Sequence, residues 1–354
     1  MKQHDLLQSK HFYLLGCLLL LSTFCGYAQE YQWQWAKSGG GEEGGTSNTF
    51  YKFSDEYVID IAIDNDNNYY YLMQLRAGSP MYHDDSLPED LTLEHYGHKD
   101  ILLISTDEDG AYRWHQVIGG DWTDIAHSIV VDSDNGVYLN ATLASNAIEG
   151  DNKNYRHLST DVTLPKIPEN WDYTMPHEAF KIGYLLKYAQ SDGSLLTYKA
   201  YQEEVLISSF GTSRLWIDSN DIIHTYVSLK NGTHLDGLVT VEGIDVNEVS
   251  VYQSFLVEFD TSLNIIDTPR EFLISGANGG NYFSYDEDLD RYYIIGMKGS
   301  GPIEYSYNNV EIEGATFILA IDAETLEEEW RSGFNDAGNV SPSATTSDTP
   351  SIFV

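Results

Sequence analysis

The chain has 354 residues, of which 42% are hydrophobic and 13% aromatic, and its 55 acidic against 19 basic residues give a formal net charge of −36. That much apolar material is enough for a sizeable core. Because the negative charge repels phosphate backbones and leaves no polybasic patch, it argues against nucleic acids and anionic membrane surfaces as partners.

The first 28 residues predict an export signal. Lys2 and Lys10 supply positive charge, the apolar run FYLLGCLLLLSTF follows, and GYA ends in a small-x-small cleavage site at Ala28. The run is short for a membrane span, and four leucines after Cys17 argue against a lipoprotein signal. We therefore expect residues 29–354 to be exported to the cell exterior or the outer cell surface, with the periplasm as an alternative, and to carry no transmembrane segment.

Both cysteines, Cys17 and Cys25, lie inside this signal, so the mature chain has none. The mature protein then cannot use disulfides, a cysteine nucleophile or thiolate metal ligands. Its stability has to come from its core and its strand pairing.

One pattern occurs four times in the sequence. An apolar strand ends in an acid, a polar turn follows, and a second strand of aromatic or β-branched residues comes after the turn. The copies read DIAIDNDNNYYYL, SIVVDSDNGVYL, RLWIDSNDIIHTYV and YFSYDEDLDRYYII. Their acids lie 68, 86 and 68 residues apart, at Asp64, Asp132, Asp218 and Asp286.

A second element follows each copy: a continuous apolar strand, a turn and a further strand. It reads DILLISTDEDGAYRW, IGYLLKYAQSDGSLLTY, QSFLVEFDTSLNIID and ATFILAIDAETLEEEW. The first and fourth end in Trp114 and Trp330, and the second ends in Tyr198. A fainter marker lies between the two elements, as LTL, VTL, VTV and VEI. Three markers with about the same period predict a tandem repeat.

Each unit holds four strand-like runs, which predicts an all-β fold: a β-propeller of four-stranded antiparallel blades. The period of about 70 residues exceeds that of common blades, and the excess lies in polar, Pro-containing segments that we expect to form long loops on one rim. No linker divides residues 29–354, which we therefore expect to form one repeat domain. Since SDTPSIFV at 347–354 is similar to the first strand of a unit, we expect about four blades plus the start of a fifth, cut from a longer protein.

The pattern W-x-K…GG…D…IAxD…NxYxL…KDxxLxxxDxxGxxxW resembles the bacterial SBBP-type β-propeller repeat. It is carried by Trp35, Lys37, Gly39 and Gly40, then by Asp60–Leu72 and Lys99–Trp114; a second copy follows from Trp114, and the third and fourth copies match more weakly. The resemblance implies a propeller on an exported or surface-associated bacterial protein. It also suggests the gliding-bacteria group, whose members with such signals often carry a sorting domain for type IX secretion. It assigns no reaction and no active site.

The first hairpins admit two interpretations. DNDNN and DSDNG place carboxylates at alternate positions, as at the start of a calcium loop, which makes Asp64, Asp66, Asn68, Asp132 and Asp134 weak calcium candidates. The glutamate that closes an EF-hand is missing, and Asp, Asn and Gly are also the residues that tight turns need. We favour the structural turn and expect no other cofactor.

No catalytic motif accompanies the repeat. The chain has no G-x-S-x-G, H-E-x-x-H, P-loop or dinucleotide glycine fingerprint. We therefore expect a non-catalytic scaffold whose rim loops bind a protein or a glycan. The alternative is a carbohydrate-active enzyme, a hydrolase or lyase, which would need two carboxylates held across a cleft.

Overall fold

The structure is a computed structural model, and it describes residues 39–41, 57–76, 82–84, 93, 96, 99–120, 123–145, 155–165, 180–201, 211–212, 214–229, 232–242, 253–272, 274–275, 282–297, 306–314 and 316–334. All of them belong to the larger of two units in the chain, Lys37–Val354. The predicted signal peptide, Trp35 and the predicted start of a fifth unit lie outside the described residues.

Every regular element of the described residues is a β-strand, which confirms the all-β prediction. The first thirteen are β1 (Gly39–Gly41), β2 (Tyr57–Ile63), β3 (Tyr69–Arg76), β4 (Tyr82–Asp84), β5 (Lys99–Thr106), β6 (Tyr112–Ile118), β7 (Ile125–Val131), β8 (Gly136–Ser145), β9 (Tyr155–His157), β10 (Thr163–Pro165), β11 (Phe180–Ala189), β12 (Leu195–Ala200) and β13 (Gly211–Thr212). The others are β14 (Trp216–Ile217), β15 (Ile223–Leu229), β16 (Gly232–His234), β17 (Val239–Val241), β18 (Gln253–Phe259), β19 (Arg270–Phe272), β20 (Ile274–Ser275), β21 (Tyr282–Asp286), β22 (Arg291–Met297), β23 (Ser306–Tyr307), β24 (Val310–Glu311), β25 (Thr316–Asp322) and β26 (Glu328–Phe334). In this part of the chain no helix is long and apolar enough to cross a membrane.

Each predicted unit forms one antiparallel sheet. Sheet 1 has the strand order β2-β3-β5-β6, sheet 2 has β7-β8-β11-β12, and sheet 4 has β21-β22-β25-β26. In sheet 3 the order is β15-β18-β19, and β13 and β14 both pair with β15, so together they take the place of the first strand. Consecutive strands in space are thus consecutive along the chain, apart from the short strands between the second and third positions.

The third strand of each sheet is a continuous apolar run, as the sequence shows. In β5 and β25 all but one residue is buried. A strand with both faces apolar is stable only between two covered faces. The outer strand β12, by contrast, is exposed at its second and fourth residues. The sheets are therefore stacked face to face.

The hydrophobic core is divided into clusters between neighbouring sheets. One cluster joins sheets 1 and 2, and includes Tyr70 and Leu139. A second joins sheets 2 and 3 through Tyr138 and Val227, and a third joins sheets 3 and 4, with Leu319 among its members. A fourth cluster lies on the remaining face of sheet 1. Each sheet thus depends on its neighbours for burial of its apolar side chains.

Trp114 shows how one sheet packs on the next. It is 5% exposed, and its Nε1 donates a hydrogen bond of 2.9 Å to the carbonyl oxygen of Gln190 in sheet 2. Its ring lies against Gly193, which has a φ of +72°, and a Cβ at that glycine would be 2.4 Å from the ring. Only glycine fits this close approach.

Trp330 has the same register position in sheet 4 as Trp114 in sheet 1. Each is the first paired residue beyond the register shift between the third and fourth strands. Trp330 is 40% exposed, because no described sheet packs on that face of sheet 4. Tyr198, which ends the second copy in the sequence, does not have this position: in sheet 2 the residue beyond the shift is Thr197.

The first strands of consecutive sheets lie next to one another. β2 contacts β7, β7 contacts β14, and β14 contacts β21. The four sheets are therefore in contact through their first strands.

Candidate functional site

The acid of each first hairpin caps its own turn. Asp64 Oδ1 accepts hydrogen bonds from the backbone N–H groups of Asp66 and Asn68, at 2.9 and 2.8 Å. Asp218 Oδ1 accepts equivalent bonds from Asn220 and Ile222. An Asp that bonds the backbone ahead of it stabilises a tight reversal, so these repeated acids are turn formers.

Two of these acids also bind a tyrosine six residues ahead. Tyr70 donates its hydroxyl proton to Asp64 Oδ2 at 2.7 Å, and Tyr138 donates to Asp132 Oδ2 at 2.6 Å. Burial raises the pKa of Asp132, but the bonds from Tyr138 and Gly136 and the nearby Lys187 outweigh it and hold the pKa below its usual range. The hairpin therefore keeps a charged carboxylate at the edge of the core.

The fourth hairpin is one residue longer than the other three. Asp286 pairs directly with Arg291 across a four-residue turn, and its Oδ1 accepts a bond from Leu289 N at 3.1 Å. Beyond this insertion, Tyr293 has the register position that Tyr70 has in sheet 1, beside Trp330 at 6.1 Å between ring centroids. The capping role of the acid survives the insertion, whereas its tyrosine contact does not.

The calcium candidates lie in these turns. Asp66 and Asp134 are exposed, and the Asn68 amide donates to Asp64 Oδ2 at 2.8 Å. The oxygens of Asp64 and Asp132 are thus already used by protein donors. Among the described residues, no group of three or more His, Asp or Glu side chains is placed to hold a metal ion. Calcium binding at these five residues stays a prediction.

A second set of capping acids escaped the sequence analysis. Asp107, Asp260 and Asp322 cap the turns between the third and fourth strands, each accepting backbone N–H bonds on Oδ1. The sequence did contain a signal for these turns. In each of them an acid is followed, two to four residues later, by residues whose backbone N–H groups it can bind, as Asp260 is by Ser262 and Asn264. This signal was hidden by the apolar runs on which we based the second element.

All these hairpins lie at one edge of the sheets, which we call the turn rim. In an antiparallel meander the first and third connections are at the same edge. Ser133 donates from its backbone N and its Oγ to Asp221 of the next sheet, at 2.9 and 2.6 Å, and Ser219 N donates to Glu287 at 3.0 Å. Carboxylates of the turn rim thus link neighbouring sheets.

A polar contact joins the first strands. Asp60 Oδ2 accepts hydrogen bonds from Ser128 Oγ at 3.0 Å and from Ile129 N at 3.1 Å, and Arg214 Nη1 lies 3.4 Å from Asp60 Oδ1. Asp60, Ser128 and Arg214 each stand four residues before a turn acid. The repeat therefore brings one polar side chain from each of three sheets to a common point.

The opposite edge, which we call the insert rim, carries the segments between the second and third strands. The sequence predicted long loops here. The structure places short strands in all four: β4, the β9–β10 hairpin, the β16–β17 hairpin and the β23–β24 hairpin. Each of these strands is only two or three residues long, which is too short to show a pattern of alternating apolar residues. The irregular, polar composition of the inserts therefore concealed them.

Three of these inserts attach to the sheet before them. His157 of β9 exchanges two backbone hydrogen bonds with Gly119, at 3.0 and 2.7 Å. Leu235 N, next to β16, bonds Tyr201 O at 3.1 Å, and β23 pairs with β20. Gly119, Tyr201 and β20 each follow the outer strand of the preceding sheet, and β4 pairs with β1. Backbone hydrogen bonds thus tie three of the inserts to residues that come just after the outer strand of the preceding sheet.

One pair of carboxylates does converge in the described part of the chain. Asp100 and Asp124 are both fully buried beside Gly119, whose added Cβ would meet a carboxylate oxygen of each. Asp124 accepts backbone hydrogen bonds from Gly120 and Ala144, and Asp100 accepts one from Tyr96. Because neither side chain reaches solvent, this pair organises backbone and is not placed to act on a sugar.

The chain matches no protein-family model, and no curated protein is significantly similar to it in sequence.

Proposed function

We propose that this protein is an exported, non-catalytic β-propeller whose insert rim binds a glycan or protein ligand. The contacts of β2 with β7, of β7 with β14 and of β14 with β21 support sheets that radiate from a shared axis. The resemblance to SBBP-type repeats and the export signal support a location at the cell exterior or outer surface.

One observation carries the proposal: the four sheets receive their inserts at the same position and edge. Loops on a rigid scaffold are where binding residues concentrate. The turn rim is less suited to this role, because its carboxylates are used by turn N–H groups and by serines of neighbouring sheets. A ligand would therefore meet variable sequence on one rim and structural hairpins on the other.

The test is binding of the full chain to a glycan array, with calcium and with a chelator, compared with two variants. In the first, residues 166–179 between β10 and β11 are replaced by a short Gly-Ser linker. In the second, the exposed turn-rim acids Asp134 and Glu324 become Asn and Gln. We expect the insert variant to lose at least about tenfold in affinity for any array hit and the turn-rim variant to keep it, since about 1.4 kcal/mol of contact corresponds to tenfold.

The opposite pattern, with loss only in the turn-rim variant, would reject the insert rim as the binding surface. Release of reducing sugar from an array hit would reject the non-catalytic assignment in favour of a carbohydrate-active enzyme. Calcium-dependent binding lost on Asp134→Asn would move the site to the calcium candidates.

A further inference from the structure

The position six residues after the turn acid carries a histidine in sheet 3. Sheets 1 and 2 have Tyr70 and Tyr138 there, and each donates its hydroxyl proton to the turn acid. In sheet 3 the residue is His224, which is 5% exposed and pairs across the strands with Trp216. The repeat thus substitutes a group that titrates near neutrality for one that does not.

His224 lies in the core between sheets 3 and 4. Its ring stacks on that of Tyr285 in sheet 4, with centroids 4.4 Å apart, and its Nδ1 is 3.1 Å from the hydroxyl of Tyr292. Both of the aromatic residues that contact the imidazole here therefore come from the neighbouring sheet. Any change in its charge acts directly on the contact between the two sheets.

Both sheets that pack around His224, sheet 3 and sheet 4, carry charged side chains near it. From sheet 3, Asp218 Oδ2 lies 3.5 Å from Nε2 and Glu258 Oε1 lies 3.7 Å from Nδ1. Arg270 holds Glu258 through an ion pair of 3.1 Å, and Tyr292 donates to the same Glu258 oxygen at 3.2 Å. From the sheet 4 side, Asp290 accepts a bond from the Tyr285 hydroxyl, and Glu287 bonds Ser219.

The geometry accommodates the neutral imidazole. Tyr292 donates its one hydroxyl proton to Glu258, so the Nδ1–H group of His224 donates to the Tyr292 oxygen and Nε2 is left without a proton. Protonation would add a proton at Nε2, which has no hydrogen-bond partner within the described residues, and Asp218 Oδ2 lies 3.5 Å from it. Because the imidazole is also buried, the site holds its charged form less well than water does.

We propose that His224 makes the contact between sheets 3 and 4 acid-labile, so that mild acidification loosens sheet 4 while the contacts built on Tyr70 and Tyr138 stay closed. Loosening exposes the imidazole to water, where it takes up a proton more readily than in the closed contact. The device needs no ligand, and it rests on sheet packing and not on the proposed binding function.

The direction of the effect follows from burial. Burial lowers the pKa of His224 below its usual 6.5, and the carboxylates of Glu258 and Asp218 only partly oppose this. The closed contact is thus fully stable above pH 6.5 and loses stability as the pH falls from 6.5 through the lowered pKa. Each unit by which the two pKa values differ is a tenfold change in the opening equilibrium.

The test is hydrogen exchange of the full chain at pH 7.5 and pH 5, corrected for intrinsic rates, for the wild type and His224→Tyr. That substitution installs the residue of the other two sheets. At pH 5 we expect the amides of β21 and β22 to open about tenfold more often in the wild type than in the variant, and equally often at pH 7.5. His115 and His127 also have lowered pKa values, but both are present in the two proteins. The difference in exchange between wild type and His224→Tyr therefore reports the effect of His224 alone.

A reciprocal variant, Tyr138→His, should transfer acid lability to the contact between sheets 2 and 3. If His224→Tyr does not fold, His224→Gln replaces it as a polar side chain that does not titrate. The same pH dependence of β21 and β22 exchange in wild type and variant would overturn the proposal. So would an NMR titration in which the His224 imidazole protonates at or above pH 6.5.

Discussion

Asp132 illustrates at the scale of one residue what the repeated acids do. Its carboxylate accepts three backbone hydrogen bonds within its hairpin and a fourth from Tyr138, and Lys187 Nζ lies 3.5 Å away. Its side chain is almost entirely buried. Removing it would leave several donors without an acceptor, and buried unsatisfied groups are costly.

We expect Asp132→Ala to lower the free energy of unfolding by about 3 kcal/mol, because hydrogen bonds to a charged acceptor contribute about 1.5–3 kcal/mol each and are partly replaced by water. Urea denaturation of both proteins measures this loss. The matched control is Asp134→Ala, an exposed acid two residues on, which should change stability by less than about 0.5 kcal/mol. Equal losses in the two variants would contradict the capping role.

The same carboxylate sets a pH dependence. Because the pKa of Asp132 is lowered in the folded protein, its contribution is fully present above its usual value of 3.8 and is lost as the pH falls through the lowered pKa. The stability gap between wild type and Asp132→Ala should therefore be constant from pH 7 to about pH 5 and narrow below pH 4. Denaturation curves at these pH values check it, and a gap that widens in acid would be inconsistent with the geometry.

At the scale of the element, the tryptophans on the outer strands report whether a sheet has a neighbour. Trp114 is packed on the second hairpin of sheet 2, whereas Trp330, at the same register position, is 40% exposed. The first strands of the sheets show the same contrast: Ile61 is 43% exposed in sheet 1, while Ile129, 68 residues on, is 3% exposed between sheets 1 and 2. Burial in this fold thus depends on position in the stack rather than on residue type.

Substitution of each tryptophan by threonine, the residue that sheet 2 has at this position, should separate the two cases. Trp114→Thr should cost about 3 kcal/mol, since it leaves a cavity beside Gly193 and an unused carbonyl at Gln190. Trp330→Thr should cost less than about 1 kcal/mol because much of that ring already meets water. Thermal unfolding of the two variants measures both, and a larger loss at Trp330 would show that its face is covered in solution.

At the scale of the molecule, the Asp60 side chain makes contacts that reach three sheets. It lies in sheet 1, accepts bonds from Ser128 and Ile129 of sheet 2, and pairs with Arg214 of sheet 3. Because each core cluster is shared by only two neighbours, such a contact couples sheets that the core does not. Stacked modules with nearest-neighbour contacts otherwise unfold in steps.

We expect Asp60→Ala to lower the unfolding midpoint and to broaden the calorimetric transition, as sheets 1 and 3 lose their shared contact. A loss of about 2 kcal/mol is reasonable for a buried carboxylate with three partners. Asp66→Ala, which removes an exposed acid of the same sheet, is the control. A transition as sharp as that of the wild type, with an unchanged midpoint, would show that the first strands are coupled by packing alone.

The sequence by itself determined the local plan of this protein. Alternating and continuous apolar runs, broken by Asp-, Asn- and Gly-rich turns, predict four units of four strands, and Asp64, Asp132 and Asp218 predict the first hairpin of each. These features depend on neighbours within about ten residues, where side-chain alternation and turn chemistry set the conformation. The short strands β4 and β23 of the inserts pair with segments far away in the chain, β1 and β20, so they could not be derived in this way. The register shift that gives Thr197 and not Tyr198 the position of Trp114 depends on how two strands pair and not on the alternation of apolar residues.

Only the tertiary structure decided which of the repeated residues matter. It brought Asp60, Ser128 and Arg214 together from positions 68 and 86 residues apart, and it enclosed His224 between two sheets beside Glu258 and Tyr292. It also left Trp330 exposed where Trp114 is buried. The physical reason is that burial and electrostatic environment are properties of the packed sheets. Two residues of the same type at the same register position differ in exposure when one faces a neighbouring sheet and the other faces water.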